Sequence, residues 1–526
     1  MSRGTLLDHM DRAASGAAEV HLVRTGESVR WSVLWGDALR CAGWIDRALP
    51  ADRSVAGLLQ PTRACLTALL GTWLAGRTFA SLPAPSRGMA AEEYREHMTG
   101  LVELAEAGVV VAPALEEVGP QVRRLAYEDF GRARAATGAE TGRLVQFTSG
   151  STDRPGGVVL DMAQVGANAA AMARRVEVGP GDAFCSWLPL SHDMGLIGMG
   201  VAAFASFDPA LGGARAVWLS EPLRFMRSPL TWLRLAGDVG GSITAVPNFA
   251  LDLVTRRLGA VPNGLDLSSL RCLIVGSETV DAGTLRRFAG AAAPHGFREL
   301  ALCPAYGLAE ATLAVTIVPP GTPWSTHAPD GGGPVALGPV VDDMELRVRA
   351  TADGRDQLEI RGASVAHSFL GRPAEHSEDG WLQTGDLGFL QDGNLYFTGR
   401  TGDRLVVRGR NIDADSLQCR LGEVPGVRVG CCAVIADGDD GYWVVIEATG
   451  GRGEDEMGRL GRAVADAAAR WSGASPGRVY VVGRGKLPKT PSGKLQRHRL
   501  RDRLADESLG PVVEAAGLRR PRRGPA

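Results

Sequence analysis

Residues Arg484–Leu500 read Arg-Gly-Lys-Leu-Pro-Lys-Thr-Pro-Ser-Gly-Lys-Leu-Gln-Arg-His-Arg-Leu and hold every lysine of the chain. The sequence has 57 lysines and arginines in 526 residues, and only Lys486, Lys489 and Lys494 are lysine. Where arginine has replaced nearly every cation, a retained lysine marks a position that a flat guanidinium does not suit. A compact ammonium on a thin stem enters a narrow cleft and acts there as a point charge. Lys494 follows Pro491-Ser492-Gly493, a turn that holds it on an ordered loop. The bland reading of Lys486 and Lys489 is a basic surface, since Arg497, Arg499, Arg501 and Arg503 follow.

Other stretches carry groups suited to a nucleotide. An apolar strand at Leu144–Phe147 runs into Thr148-Ser149-Gly150-Ser151-Thr152-Asp153-Arg154-Pro155-Gly156-Gly157. Hydroxyls among glycines directly after a strand converge with backbone N–H groups on phosphate oxygens. No Gly-Lys-Ser/Thr closes the loop, so it is not a Walker A sequence. Ser191-His192-Asp193-Met194-Gly195 opens from a strand-like run at Phe184–Leu190 and suits a pocket wall. Tyr306-Gly307-Leu308-Ala309-Glu310 offers an aromatic face and a carboxylate for Mg²⁺ near phosphates. Trp381–Gly388 places Asp386 in a tight turn, where it can accept two ribose hydroxyls.

These groups need a scaffold, and the hydrophobic pattern supplies one. Residues 1–142 alternate strand and helix patterns, with a strand at Ser54–Leu59 and a helix at Arg63–Ala75. Asp161 and Gln164 form a capping-box variant that opens a helix through Arg174. Ser242–Ala250 and Arg271–Glu278 each read as a buried strand ending in a polar turn, where ligands of parallel α/β sheets sit. Strands resume at Glu345–Val348, Leu358–Ile360 and Asn394–Thr398. Beyond the glycines and charges of Gly399–Arg404 lies a small α+β unit with strands Val429–Ile435, Tyr442–Glu447 and Val479–Val482. Its helix, about Glu454–Trp471, carries Met457, Leu460, Val464, Ala468 and Trp471 on one core-packing stripe.

The expected fold is therefore α/β: a large N-terminal domain of layered sheets and helices, 1–399, with a hinge at 400–404. A small, mobile α+β C-terminal domain at 405–510 carries Lys494, and 511–526 is a basic tail expected to be disordered. The net charge of −2 argues against a nucleic-acid partner. Eight scattered cysteines without Cys-x-x-Cys read as small buried hydrophobes of a reducing compartment. No signal-like or membrane-spanning run is present, so a cytoplasmic location is expected.

Taken in order, Phe147–Gly157, Leu188–Gly198, Tyr306–Thr312, Trp381–Gly388, Gly399–Asn411 and Leu487–Leu500 resemble the core motifs of the adenylate-forming superfamily. That superfamily holds acyl-CoA synthetases, peptide-synthetase adenylation domains and luciferases. His192–Gly198, Pro247–Ala250, Tyr306–Thr312 and Arg408–Asn411 look most like its fatty acyl-AMP ligase branch. The resemblance implies ATP-dependent conversion of a carboxylic acid to acyl-AMP, with Mg²⁺ and release of pyrophosphate. The acyl group then passes to the phosphopantetheine thiol of an acyl carrier protein, as in lipid or polyketide biosynthesis.

It further implies that Lys494 bridges carboxylate and α-phosphate, that Glu310 holds Mg²⁺, and that Tyr306 stacks on adenine. Thr148, Ser149, Gly150, Ser151 and Thr152 line the phosphates, with Gly276, Ser277, Glu278 and Gly307 beside the nucleotide. Asp386 takes the ribose, Arg400 sits at the hinge, and His192 borders the acyl entrance. Met194, Gly195, Asn248, Phe249 and Ala305 line an apolar acyl pocket, which favours an alkyl or aryl acid. Three departures stand out. The usual phosphate-loop lysine is absent, leaving Arg154 to supply charge, and Gly402 replaces the usual hinge residue. The stretch Leu313–Gly338 is also short for the insertion that fatty acyl-AMP ligases carry. An acyl-CoA ligase using free CoA therefore stays open, as does a non-catalytic member that binds nucleotide or acyl group.

Overall fold

Short apolar runs without alternation become strands buried on both faces, and three of them lie inside the two largest sheets. Ser54–Gly57, Ala183–Ser186 and Ile243–Pro247 have no exposed residue, as parallel strands covered by helices on both sides require. The structure, a computed structural model, describes residues 5–85, 89, 91–111, 123–124, 142–148, 156–259, 264–328, 333–350, 356–371, 373, 376–401, 404–407, 410–437, 441–450, 453–489, 495–506, 508–509 and 512–515. The chain divides into two compact units. The first comprises Met1–Pro85, Ala90–Thr384 and Gly388–Phe397, the second Ser86–Met89, Gly385–Leu387 and Thr398–Ala526.

In the first unit an eight-stranded sheet runs, in spatial order, Ala314–Ile317, Leu302–Gly307, Cys272–Gly276, Ile243–Pro247, Ala183–Ser186, Ala216–Leu219, Glu19–Leu22, Glu27–Arg30. Its inner pairs are parallel and only the two edge hairpins are antiparallel. A seven-stranded sheet runs Ser368–Leu370, Gly156–Asp161, Arg143–Thr148, Thr78–Ser81, Ser54–Gly57, Ala107–Val111, Arg123–Arg124. Helices between the strands bury one continuous apolar core. The helix Met162–Arg175 opens with the capping box read from the sequence: Gln164 N donates to Asp161 Oδ1, and Asp161 N donates to Gln164 Oε1, both at 2.8 Å.

Three expected elements differ. The strand from Ala183 stops at Ser186, because the Ser186 hydroxyl takes the Leu188 N–H (3.1 Å) and turns the chain out of the ladder. Asn248, Phe249 and Ala250 begin a helix, Asn248–Leu258, where a polar turn was expected. Pro247 has no side chain to cap it, and the Glu278 carboxylate does so instead by accepting from Phe249 N at 2.5 Å. Asp386 is not in a tight turn but inside the strand Leu382–Gln391, and its side chain is 1% exposed. Gly385 at φ +72° supplies the local backbone change the sequence reading took for a turn.

The second unit is built on a four-stranded sheet, Val427–Asp437, Gly441–Ala448, Arg478–Val482, Val512–Ala515. Strict alternation divides its residues between two faces. Cys432, Val434, Val444, Ile446, Val479 and Val481 pack with Leu460 and Val464 of the helix Glu454–Ser472. Cys431, Ala433, Ile435, Val445 and Val482 pack with Leu487, Leu500 and Leu509. Two expectations fail here. Val512–Ala515, assigned to a disordered tail, pairs antiparallel with Val479–Val482 and is an edge strand of this sheet. Trp471, assigned to the core stripe, is 39% exposed, because it lies in the last turn before Gly473 ends the helix. Seven of the cysteines are free and buried, as expected; the Cys419 side chain lies outside the described residues. No described helix is long and apolar enough to cross a membrane.

Candidate active site

The run Tyr306–Thr312 closes an antiparallel hairpin at the edge of the large sheet. Leu308 N donates to Leu313 O at 2.9 Å, and a single 3-10 turn, Ala309–Ala311, puts Glu310 at the tip. A β-carbon on Gly307 would lie 1.9 Å from Leu313 O, so no other residue lets the hairpin close. Thr312 leaves the turn at φ +70°, ψ −56°, a strained conformation for a β-branched residue. It is held there by buried partners: Thr312 Oγ1 donates to Ser364 O at 2.7 Å, and Ala366 N donates to Glu310 O at 2.7 Å. The Glu310 side chain is half-buried above this clasp. Tyr306 is 8% exposed, with its ring near-parallel to that of Phe397 at 6.1 Å.

His192 and Asp193 open an unusual element. Met194–Val201 is a π-helix, seen in the Ala202 N–H bond to Ile197 O, five residues back. Such widened turns collect at functional sites. His192 Nδ1 lies 2.5 Å from Asp193 Oδ1, while Met194 N donates to Asp193 Oδ1 at 2.7 Å. The Asp193 carboxylate thus touches both the His192 ring and the first N–H of the π-helix. Gly195 fits because a β-carbon there would stand 2.2 Å from Pro189 O.

Strand ends converge beside this helix. Ser277, at φ +66°, aims its hydroxyl at Met194 Sδ, 3.4 Å away. Gly276 lies against Ala305, close enough that a β-carbon on it would be 3.0 Å from Ala305 O. Asn248 Oδ1 accepts from Asp281 N at 3.1 Å, so the Gly276–Asp281 turn and the helix at Asn248 are tied twice, once by Asn248 and once by Glu278. The first unit thus gathers Met194, Asn248, Phe249, Gly276, Ser277, Glu278, Ala305, Tyr306, Gly307 and Glu310 at the carboxyl ends of the parallel strands, where open α/β sheets bind ligands.

Thr148 ends its strand at this level, but its side chain, and the whole of Ser149, Gly150, Ser151, Thr152 and Arg154, lie outside the described residues. So do Gly402 and Lys494. In the second unit Asp386 Oδ1 lies 2.8 Å from Arg400 Nε. Lys489 donates to Gly430 O and pairs in an isolated bridge with Leu495. Among the described residues no group of three or more His, Cys, Asp or Glu side chains could hold a metal. Glu310 offers a divalent cation one carboxylate, which suits Mg²⁺ when substrate phosphates supply the other ligands.

Sequence reasoning missed the residues that hold this site in shape. Gln146 Nε2 donates to Ser191 O (2.7 Å) and fixes the His192 turn; Gln164 Nε2 donates to Val365 O (2.6 Å). Asn168 binds both Ala314 O (2.9 Å) and Ser364 Oγ (3.1 Å). The one available signal was a pair of amides, Gln164 and Asn168, one helical turn apart on an otherwise apolar face.

The sequence profile of the AMP-binding enzyme family matches residues 10–370. A long-chain-fatty-acid–AMP ligase of Mycobacterium tuberculosis is 30% identical over 89% of this chain and 91% of its own length. A Caulobacter vibrioides protein described as an acyl-CoA synthetase is 31% identical over 94% of each. Among solved structures, one from a study of fatty acyl-adenylate ligases of E. coli and L. pneumophila superposes with a TM-score of 0.83. It is 24% identical and covers 96% of this chain and 98% of its own. A structure of McyG A-PCP complexed with phenylalanyl-adenylate gives 0.84 at 21% identity, over 96% of this chain and 83% of its own. With a family match over most of the sequence and relatives aligned nearly end to end, the chain belongs to the AMP-binding enzyme family and is an adenylate-forming enzyme.

Proposed function

We propose that this enzyme activates a fatty or other apolar carboxylic acid as acyl-AMP and passes it to the phosphopantetheine thiol of an acyl carrier protein. The observation that carries the reading is the Glu310 hairpin, clasped through Thr312 and packed by Leu313 against Gly198 of a wholly apolar π-helix. In this reading the carboxylate serves Mg-ATP and the apolar surface beside it serves an acyl chain. Similarity to a long-chain-fatty-acid–AMP ligase over 89% of the chain supports the substrate class.

In this reading the acid's oxygen attacks the α-phosphorus of Mg-ATP, the bond to the β-phosphate oxygen breaks, and pyrophosphate leaves. Glu310 would hold Mg²⁺, which would supply positive charge for the triphosphate, and Tyr306, backed by Phe397, presents its other face to adenine. Thr148 through Thr152 cradle the β- and γ-phosphates, with Arg154 in place of the absent loop lysine. Gly276, Ser277 and Glu278 flank the nucleotide, and Asp386 with Arg400 takes the ribose side. Lys494 neutralises the repulsion between carboxylate and triphosphate as charge shifts in the transition state. His192 borders the acyl entrance, and Met194, Gly195, Asn248, Phe249 and Ala305 line the pocket. The thiolate then attacks the acyl carbonyl and AMP departs, after the small domain turns to withdraw Lys494. Free CoA as acceptor is the second reading, favoured by the 31% identity to a protein described as an acyl-CoA synthetase.

The test is pyrophosphate release from Mg-ATP with fatty, aryl and amino acids in turn, without thiol, beside Lys494→Ala. Release with apolar acids alone, lost in the variant, is expected. Release with none, despite ATP binding, would sink the reading. Adding CoA or a holo carrier protein then separates the two acceptors.

A further inference from the structure

In the second unit, alternation along Gly441–Ala448 puts Glu447 on the same face as Val445, which packs with Leu487 and Leu500. That position calls for an apolar residue, yet it holds a carboxylate with no exposed side-chain surface. Both oxygens are used. Glu447 Oε2 lies 2.7 Å from Arg428 Nη1, and Glu447 Oε1 accepts from the backbone N–H of Leu487 at 2.9 Å. Arg428 can reach inward because the strand Val427–Asp437 is irregular there: its register shifts between Val427 and Cys432, with Gly430 at φ +63°. Bulges of this kind re-aim side chains near functional sites.

The same bulge supplies the Gly430 carbonyl that accepts from the Lys489 ammonium. Leu487 starts a hairpin: Lys489 pairs with Leu495, and Gln496 N donates to Pro488 O at 3.0 Å. A buried ion pair is a poor source of stability, since apolar residues of similar size often serve as well or better. Here the pair ties the bulge to the backbone at the start of the hairpin.

We propose that Glu447 is a positioning residue for acyl-AMP formation: with Arg428 it anchors the root of the hairpin whose sequence carries Lys494, and so fixes the lysine's reach. The inference rests on the role given to Lys494 above. Glu447 touches no substrate.

The double variant Arg428→Met/Glu447→Leu removes the ion pair but keeps the volume apolar, so the full chain should fold with an unfolding midpoint at or above the parent's. Its kcat for pyrophosphate release should fall about ten-fold or more, since misplacement by an ångström costs that much or more. KM for ATP and acid should stay within about two-fold, because uniform binding is untouched. Transfer from supplied acyl-AMP to a thiol should be unchanged. Glu447→Gln, which still accepts from Leu487 N–H, should recover most of the loss. A folded double variant with the parent's kcat, or equal losses in both half-reactions, would overturn the proposal. Lys494→Ala, run in parallel, separates the two claims. If it keeps full activity, the lysine's role fails and this inference with it; if it is inactive while the double variant is not, the positioning role alone fails.

Discussion

Asn168 and Ala314 are joined as two strand residues would be: the Asn168 amide nitrogen donates to Ala314 O at 2.9 Å, and Ala314 N donates to Asn168 Oδ1 at 3.0 Å. A fully buried side chain here takes the place of a missing strand beside the Glu310 hairpin. Asn168→Ala would leave a buried N–H and C=O unpaired, at a cost of about 2 kcal/mol or more. The hairpin would loosen at the strand leading away from Glu310. We expect a lowered unfolding midpoint and a fall in kcat for pyrophosphate release with the KM of the acid little changed. Full activity in the variant would show that Glu310 does not depend on this clamp.

Gly307→Ala acts on the same hairpin from the inside. Its new methyl would overlap Leu313 O, which is backbone and cannot move without opening the Leu308–Leu313 bond. Expected is a loss of about a hundred-fold or more in adenylation, with the second unit's sheet intact by hydrogen exchange. Parent-like activity would mean that the hairpin is dispensable.

Much of this architecture is legible in the sequence, for a local reason. The capping box at Asp161 and Gln164, the apolar runs at Ile243 and Cys272, and the Tyr306–Glu310 spacing are all set by neighbours within a few residues. What escapes are pairings between distant residues. Gln164 meets Val365 across 201 positions, and Glu278 caps a helix whose first turn lies 29 residues earlier. Asp386 shows the same limit: Gly385 beside it reads as a turn, yet the left-handed glycine sits inside a strand whose pairing is decided elsewhere. The alternation around Glu447 is visible, but its partner Arg428 is placed by a bulge that no local pattern announces.

Acid should weaken the first unit through Asp182. Burial works to raise its pKa, but hydrogen bonds from Arg271, Ser242 and Gly179 N–H outweigh it, and the carboxyl titrates below its ordinary 3.8. It joins the starts of three neighbouring strands, with Arg271 Nε at 2.8 Å and Ser242 Oγ at 2.7 Å. A folded-state pKa below the unfolded one contributes stability above about pH 4, lost as pH falls through the folded value. Asp182→Asn should therefore cost about 2 kcal/mol at pH 7, as loss of charged hydrogen bonds does. The gap from the parent should narrow below pH 4. Denaturant unfolding at pH 7 and pH 3.5 checks this, and a gap independent of pH would refute it.

Arg400 and Asp386 make the last case. The carboxylate side chain is 1% exposed and the guanidinium 57% exposed, so the arginine is the accessible member of the pair. Arg400→Met would leave a buried carboxylate without this cation, which either takes up a proton or loses its fixed orientation. If Asp386 receives the ribose hydroxyls, both outcomes weaken ATP binding and neither touches the acid. The KM for ATP should rise about ten-fold, equivalent to one good hydrogen bond to a charged group, while the KM for the acid holds. Asp386→Asn, keeping shape without charge, should raise the same constant and leave Arg400 with no further effect when combined with it, because contacting residues are not additive. Equal shifts in both Michaelis constants would instead place the pair's influence on the fold of the second unit and remove it from the nucleotide site.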